Sequence, residues 1–155
     1  MLFSKKVKKI LKEQSGEKAI IEIDSLLTPI FHSAPEKLSN EEKTIVFIEA
    51  LEREINNGGF SQFFFNSSGD FVAETVAALK TIGSTIFLEL LETAIAQFPD
   101  SYVPKNQSER EDIIDRIEDD ASPVWQKLEA KFYRHEENIY DLMLAYISAN
   151  IKKFR

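Results

Sequence analysis

The chain has no cysteine. Disulfides, thiolate nucleophiles and thiolate metal ligands are therefore excluded, and the composition suits the cytoplasm, where the sequence places the protein. Histidine occurs only at 32 and 135. Neither belongs to a Glu-x-x-His pair or a His-Glu-x-x-His zinc motif, and His135 beside Glu136 and Glu137 gains nothing, because adjacent helical residues do not share a face. Ser67 and Ser68 lack the strand-turn-helix setting of a nucleophile elbow. No calcium-loop spacing is present either. The sequence thus offers no catalytic residue, no metal site and no cofactor motif. No apolar run reaches the roughly 18–20 residues that cross a bilayer, and no continuous apolar stretch follows the basic N-terminus as in a secretory signal. No membrane contact is expected.

What is present is ordinary for one globular domain. The 155 residues are 43% apolar and 29% charged, which sets the chain apart from disordered sequences. A chain of this size buries about two thirds of its unfolded surface and folds alone. Residues 1–155 read as a single domain, with no internal repeat or low-complexity linker. Within it, residues 1–17 form a basic amphipathic segment packed on or flanking the rest, with Leu2, Phe3, Val7, Ile10 and Leu11 as its apolar side. The net charge of −7 is uneven. Residues 1–20 carry six lysines against Glu13 and Glu17, a net of +4, and the other 135 residues carry −11. Such a body repels nucleic acid and attracts basic partners. The lysines themselves allow three readings: a solvated helix face, an internal partner for the acidic body, or a contact for nucleic acid or anionic lipid.

The spacing predicts an all-α, multi-helix bundle. Ser39 and Glu42 form a capping box, beyond which Phe47, Leu51 and Ile55 recur every four residues. Ile45 and Ile48 widen that face, with Glu49 and Arg53 paired on the wet side. Asn57-Gly58 stops this helix. A second spans about 70–82 and closes at Gly83. Ser84 caps a third, carrying Phe87, Leu90, Leu91, Ala94, Ile95 and Phe98, which Pro99 ends. After a loop at 99–107, Ser108 and Glu111 form another capping box, and Ser122-Pro123 starts a further helix. Asn138 caps the last, with Ile139, Leu142, Met143, Tyr146 and Ile147 on one face. Residues 18–31 look helical, although Ile20, Ile21 and Ile23 also suit a strand.

The most distinctive stretch joins Asn57, Gly58, Gly59 and Phe60 to Gln62, Phe63 and Phe64, then to Asn66, Ser67, Ser68 and Gly69. Phe60, Phe63 and Phe64 have i, i+3, i+4 spacing, so a short helix buries them. Each buried phenylalanine contributes about 1.5–3 kcal/mol, enough for the cluster to anchor neighbouring helices. Gln62 and Asn66 would then tie nearby backbone. A ligand pocket built from the same residues is the competing reading. The glycines match neither phosphate-loop nor dinucleotide spacing.

This stretch, with Glu52 and Ile55 before it and Glu74, Ala77, Leu79 and Gly83 after it, resembles the signature of a bacterial family of domains of unknown function that includes a DNA-mimic protein. The match is closest over residues 40–100. The resemblance implies a helical fold and a non-enzymatic role in which an acidic surface occupies the DNA site of a basic DNA-binding protein. The motif is apolar, so the mimic surface must lie elsewhere. Glu109 to Asp120 holds seven carboxylates against Arg110 and Arg116, with Ile113, Ile114 and Ile117 as a narrow apolar stripe. Glu111, Asp112, Asp115, Glu118, Asp119 and Asp120 are the candidate partner-binding residues. The six span about 13.5 Å at about 1.5 Å per residue, near the linear charge density of duplex DNA. Other acidic faces are Glu41, Glu49 and Glu52, or Glu136, Glu137 and Asp141. Two rival functions stand beside mimicry: a small-ligand domain using the Gly-Gly-Phe segment, and an enzyme of unknown class built from scattered acids. A homodimer is left open.

Overall fold

The periodic apolar spacing resolves into seven α-helices, with no strand among the described residues. They are α1 (Leu2–Glu13), α2 (Gly16–Ser33), α3 (Asn40–Phe65), α4 (Val72–Ile82), α5 (Thr85–Ile95), α6 (Gln107–Tyr133) and α7 (Ile139–Ala149). This computed structural model describes residues 2–155; Met1 and the Leu2 side chain lie outside the described set. The architecture is the all-α bundle that the spacing predicts.

α3 is the central helix, packed against α2, α4 and α6. α5 bridges α4 and α6, while α7 lies on α2 and α4. α3 supplies Ile45, Ile48, Leu51 and Ile55 to the core. Its start is the capping box read from Ser39: the hydroxyl accepts the Glu42 N–H at 3.1 Å, and Glu42 Oε2 accepts the Ser39 N–H at 2.8 Å. Glu42 does more than cap. Its Oε1 accepts the Arg155 N–H at 2.8 Å, which together with buried Phe154 ties the C-terminus to the head of α3. At the N-terminus, α1 rests on α2 and buries Val7 and Ile10.

Two helix starts differ from expectation. α6 is capped by Asn106, whose side chain accepts the Glu109 N–H at 3.0 Å, so Ser108 lies inside the helix rather than at its cap. Nor does a new helix begin at Ser122-Pro123; α6 runs through it. Proline removes one N–H and costs about 3 kcal/mol in a helix interior. Ile114, Ala121, Trp125, Leu128 and Phe132 keep one buried stripe across the site, and burial of the large side chains beyond Pro123 outweighs that cost. Ser84 stands at the N-cap of α5 but makes no cap bond of its own. Glu137 performs the capping from afar, taking the Ser84 hydroxyl at 2.5 Å and the Thr85 N–H at 3.0 Å.

Candidate functional site

The family-like stretch builds a kink that grips α6. α3 breaks at Gly58 and Gly59 and resumes at once as a short helical piece. Gly59 has φ 75°, a left-handed conformation open to glycine, and a Cβ there would collide with the Glu129 carboxylate. That carboxylate accepts the Phe60 N–H at 2.8 Å, satisfying one free donor of the resumed helix. Phe60, Phe63 and Phe64 are all buried, while Phe65 is exposed. Gln62 and Asn66 donate to one carboxylate oxygen, Glu54 Oε2, each at 2.9 Å, rather than to backbone. The Ser68 hydroxyl donates to the Phe63 carbonyl at 2.7 Å. Asn57 and Ser67 are exposed.

Arg110 completes the grip. Its side chain is fully buried, and every N–H has an acceptor. Nε donates to the Phe64 carbonyl, Nη1 to those of Pro104 and Lys105 at 2.9 and 3.1 Å, and Nη2 to that of Asn66 at 2.9 Å and to Asp70 Oδ1 at 2.8 Å. Gly69 leaves room for this: a Cβ there would strike the Phe64 carbonyl and the guanidinium. Sequence reading counted Arg110 as a surface charge on the acidic helix and missed this role.

With Arg110 internal, the exposed face of α6 is more acidic than its composition suggests. Asp112, Asp115, Glu118, Asp119 and Asp120 are exposed, and Glu111 is half-buried with Gln107 Nε2 at 3.1 Å. At about 100° per residue, Glu111, Asp112, Asp115, Glu118 and Asp119 share an arc of about 120° that starts beside the buried stripe of Arg110, Ile114 and Ala121 and turns away from it. Asp120 lies outside that arc. Arg116 stays at its edge, donating to the Asp112 carbonyl at 3.1 Å rather than pairing with a carboxylate.

The face of Glu41, Glu49 and Glu52 fails as a surface. Glu49 and Glu52 are 7% and 6% exposed, and Arg53 pairs with Asp24 at 3.1 Å instead of Glu49. The reason is periodicity: Ile45, Glu49 and Glu52 follow i, i+4, i+7, so both acids fall on the apolar stripe. The Tyr140 hydroxyl donates to Glu52 Oε1. The protonated Glu49 carboxyl donates to the Glu52 carboxylate. Burial, then the nearby Glu52 and Asp24 carboxylates, pushes the Glu49 carboxyl up to about 9, and burial also raises Glu52.

A stability prediction follows from these shifts. Between the ordinary 4.5 and about 9, the folded protein holds a proton that the unfolded chain releases. The stabilisation is complete below pH 4.5 and is lost as pH rises through 9. Urea denaturation across this window should show falling stability, and Glu49→Gln should flatten the slope. An unchanged slope in Glu49→Gln would place the titrating proton elsewhere.

Of the other candidates, Glu137 is occupied in capping α5, which depletes its acidic face, while Glu136 and Asp141 are exposed. The six N-terminal lysines are all exposed; among the described residues their one ion pair is Lys9 with Glu13 at 3.9 Å, on the same helix. They therefore do not pair with the acidic body. An aromatic cleft of about 650 Å³ does exist, but Phe31, Phe47 and Phe71 form its walls, and only Ser67 comes from the family-like stretch. No helix is long and apolar enough to cross a membrane among the described residues.

A family model described as DMP19-like protein matches residues 36–150. No curated protein and no solved structure matches the chain.

Proposed function

The chain belongs to the DMP19-like protein family, whose namesake is DNA mimic protein 19, and from that premise we propose that it binds a basic DNA-binding protein through the exposed acidic face of α6. The mechanism needs no chemistry. Carboxylates stand where phosphates would, the partner's lysines and arginines are occupied, and DNA is released by competition. The observation that carries this reading is the arc of Glu111, Asp112, Asp115, Glu118 and Asp119, from which the one internal cation of that segment, Arg110, has been withdrawn into the core. Five carboxylates over about 12 Å, less Arg116, leave about one net charge per 3 Å, close to the 3.4 Å phosphate spacing of a single DNA strand. The face therefore imitates one strand edge rather than both.

The setting favours display. α6 is 27 residues long and fixed at several points by Arg110, Trp125 and Glu129, so its charges stand on a rigid rod. The cost of gathering like charges at spacings of four, about 0.2–0.5 kcal/mol per pair, is borne by the buried stripe beneath. Contact through exposed charges weakens with salt, because the screening length falls from about 10 Å at 0.1 M to about 3 Å at 1 M.

Competition tests the proposal. The tagged protein should retain basic DNA-binding proteins from cell extract at low salt. Excess duplex DNA or high salt should release them. Partners retained against both would point to an apolar contact and contradict mimicry.

A further inference from the structure

The aromatic cleft of about 650 Å³ follows from the spacing of two helices. On α3, Asn40, Lys43, Thr44 and Phe47 stand at i, i+3, i+4 and i+7 and share one face. On α4, Glu74, Ala77, Ala78 and Thr81 repeat that spacing, and the two faces line the cleft together. Alanine is too short to fill the space between them, so a trough remains. Phe31 from α2 and Phe71 from the turn before α4 join Phe47 in one cluster. Their ring centroids are 5.2 to 5.5 Å apart, and all three side chains are only half-buried. We propose that this cleft binds a small organic anion, an aryl carboxylate, with its ring against the three phenylalanines and its carboxylate on Lys43 Nζ. The site is separate from the acidic face of α6, and the proposal does not depend on mimicry.

The charges in the wall select the sign of the ligand. Glu74 is the one carboxylate there, and it is already answered. Lys105 Nζ lies 2.5 Å from its Oε1 and also donates to the Asp70 carbonyl at 3.1 Å. Lys43 is the other charge. It is half-buried, and among the described residues its ammonium has no ion pair and no hydrogen bond. Glu41, its nearest acidic neighbour along the helix, falls off the cleft-facing arc. With Glu74 and Lys105 cancelling, the cleft carries the unanswered charge of Lys43 inside a chain of net charge −7. A carboxylate supplies the counter-charge, and a partly desolvated pair gains more than one in open water.

The apolar part of the cleft selects the body. A flat ring gains edge-to-face and offset-stacked contacts with three phenyl rings, beyond the area it buries. Lys43 stands one helical turn, about 6 Å, from Phe47 on the same face, so ring and carboxylate belong to one compact molecule. The volume falls within the roughly 300–1,000 Å³ of small-molecule pockets and admits an acid of one or two rings. The threonines add little. The Thr44 and Thr81 hydroxyls donate to the Asn40 and Ala77 carbonyls of their own helices at 2.9 and 2.8 Å. Specificity therefore rests on Lys43 and the rings.

Isothermal titration calorimetry with naphthylacetate tests this. Naphthylacetamide and naphthylmethylammonium serve as the same ring body without the charge and with the opposite one. Saturable binding of naphthylacetate is expected, about tenfold tighter than the amide because its hydrogen bond to Lys43 is charge-assisted, with no binding of the ammonium. Cyclohexylacetate keeps the charge but lacks the aromatic face, and should bind more weakly. These comparisons are read on the natural protein, so they stand even if a variant misfolds. Lys43→Gln should weaken naphthylacetate about tenfold and leave the amide unchanged, a split that a merely structural residue would not produce. The exposed Lys18→Gln should change neither. Amide nuclear magnetic resonance shifts on titration should cluster at Lys43, Phe47, Phe71 and Ala78. No saturable heat from naphthylacetate, equal binding of the amide or of cyclohexylacetate, shifts confined to another part of the chain, or unchanged binding by folded Lys43→Gln would overturn the proposal.

Discussion

Arg110→Met is expected to destabilise the protein by about 3–5 kcal/mol, because it strips the donor from several carbonyls of which each buried one left unsatisfied costs about 1–3 kcal/mol. The guanidinium is wholly buried and joins α6 to the end of α3, the turn after it and the loop before α6 through five acceptors. Methionine fills much of the volume but leaves four carbonyls and Asp70 to find other donors. Arg110→Lys should also be costly, because an ammonium cannot reproduce the planar fork. Urea denaturation measures both. A loss below about 1 kcal/mol for the methionine variant would mean that Arg110 is a surface charge after all, since surface substitutions fall within about ±0.5 kcal/mol.

Phe64→Ala is the second large effect, at about 3–5 kcal/mol for a phenylalanine truncated in a core. Its ring lies 4.9 Å from Phe98, 5.3 Å from Phe63 and 5.5 Å from Trp125, centroid to centroid, so the cavity left would be bounded by three separate elements. Phe65→Ala, one residue along and exposed, should change stability by no more than about 0.5 kcal/mol. Arg110 holds the Phe64 carbonyl, so the two large losses should not add. A thermal or urea series on the single and double variants reads all of this. Wild-type stability in Phe64→Ala would remove the anchoring role of the aromatic cluster.

The legible part of the fold was its local part. Ser39 with Glu42, Asn138, Gly83 and the recurring apolar positions are signals within one helical turn or cap, and the structure uses each of them. Where a distant residue does the local work, the sequence pointed to the wrong one. Ser84 looks like a cap, but Glu137, which lies beyond α6, supplies the acceptors. Ser122-Pro123 looks like a start, but the stripe continuing to Trp125 and Phe132 carries the helix through. Charged side chains were the least legible. Arg110, Glu49 and Glu52 all sit at apolar-stripe spacing, and that spacing was the available signal. Reading them by charge instead put them in water. The exposed acids of α6 were legible because they depart from the stripe.

The most direct measurement compares the natural protein with one carrying Asp112→Lys, Asp115→Lys, Glu118→Lys and Asp119→Lys together, in the same DNA-competition binding assay. All four positions are exposed, so the fold should survive with helicity unchanged by circular dichroism. Binding to the basic partner at low salt should be lost, and duplex DNA should no longer compete with the variant for it. A folded variant that still binds that partner as tightly as the natural protein would contradict the assignment of α6 as the face that stands in for DNA.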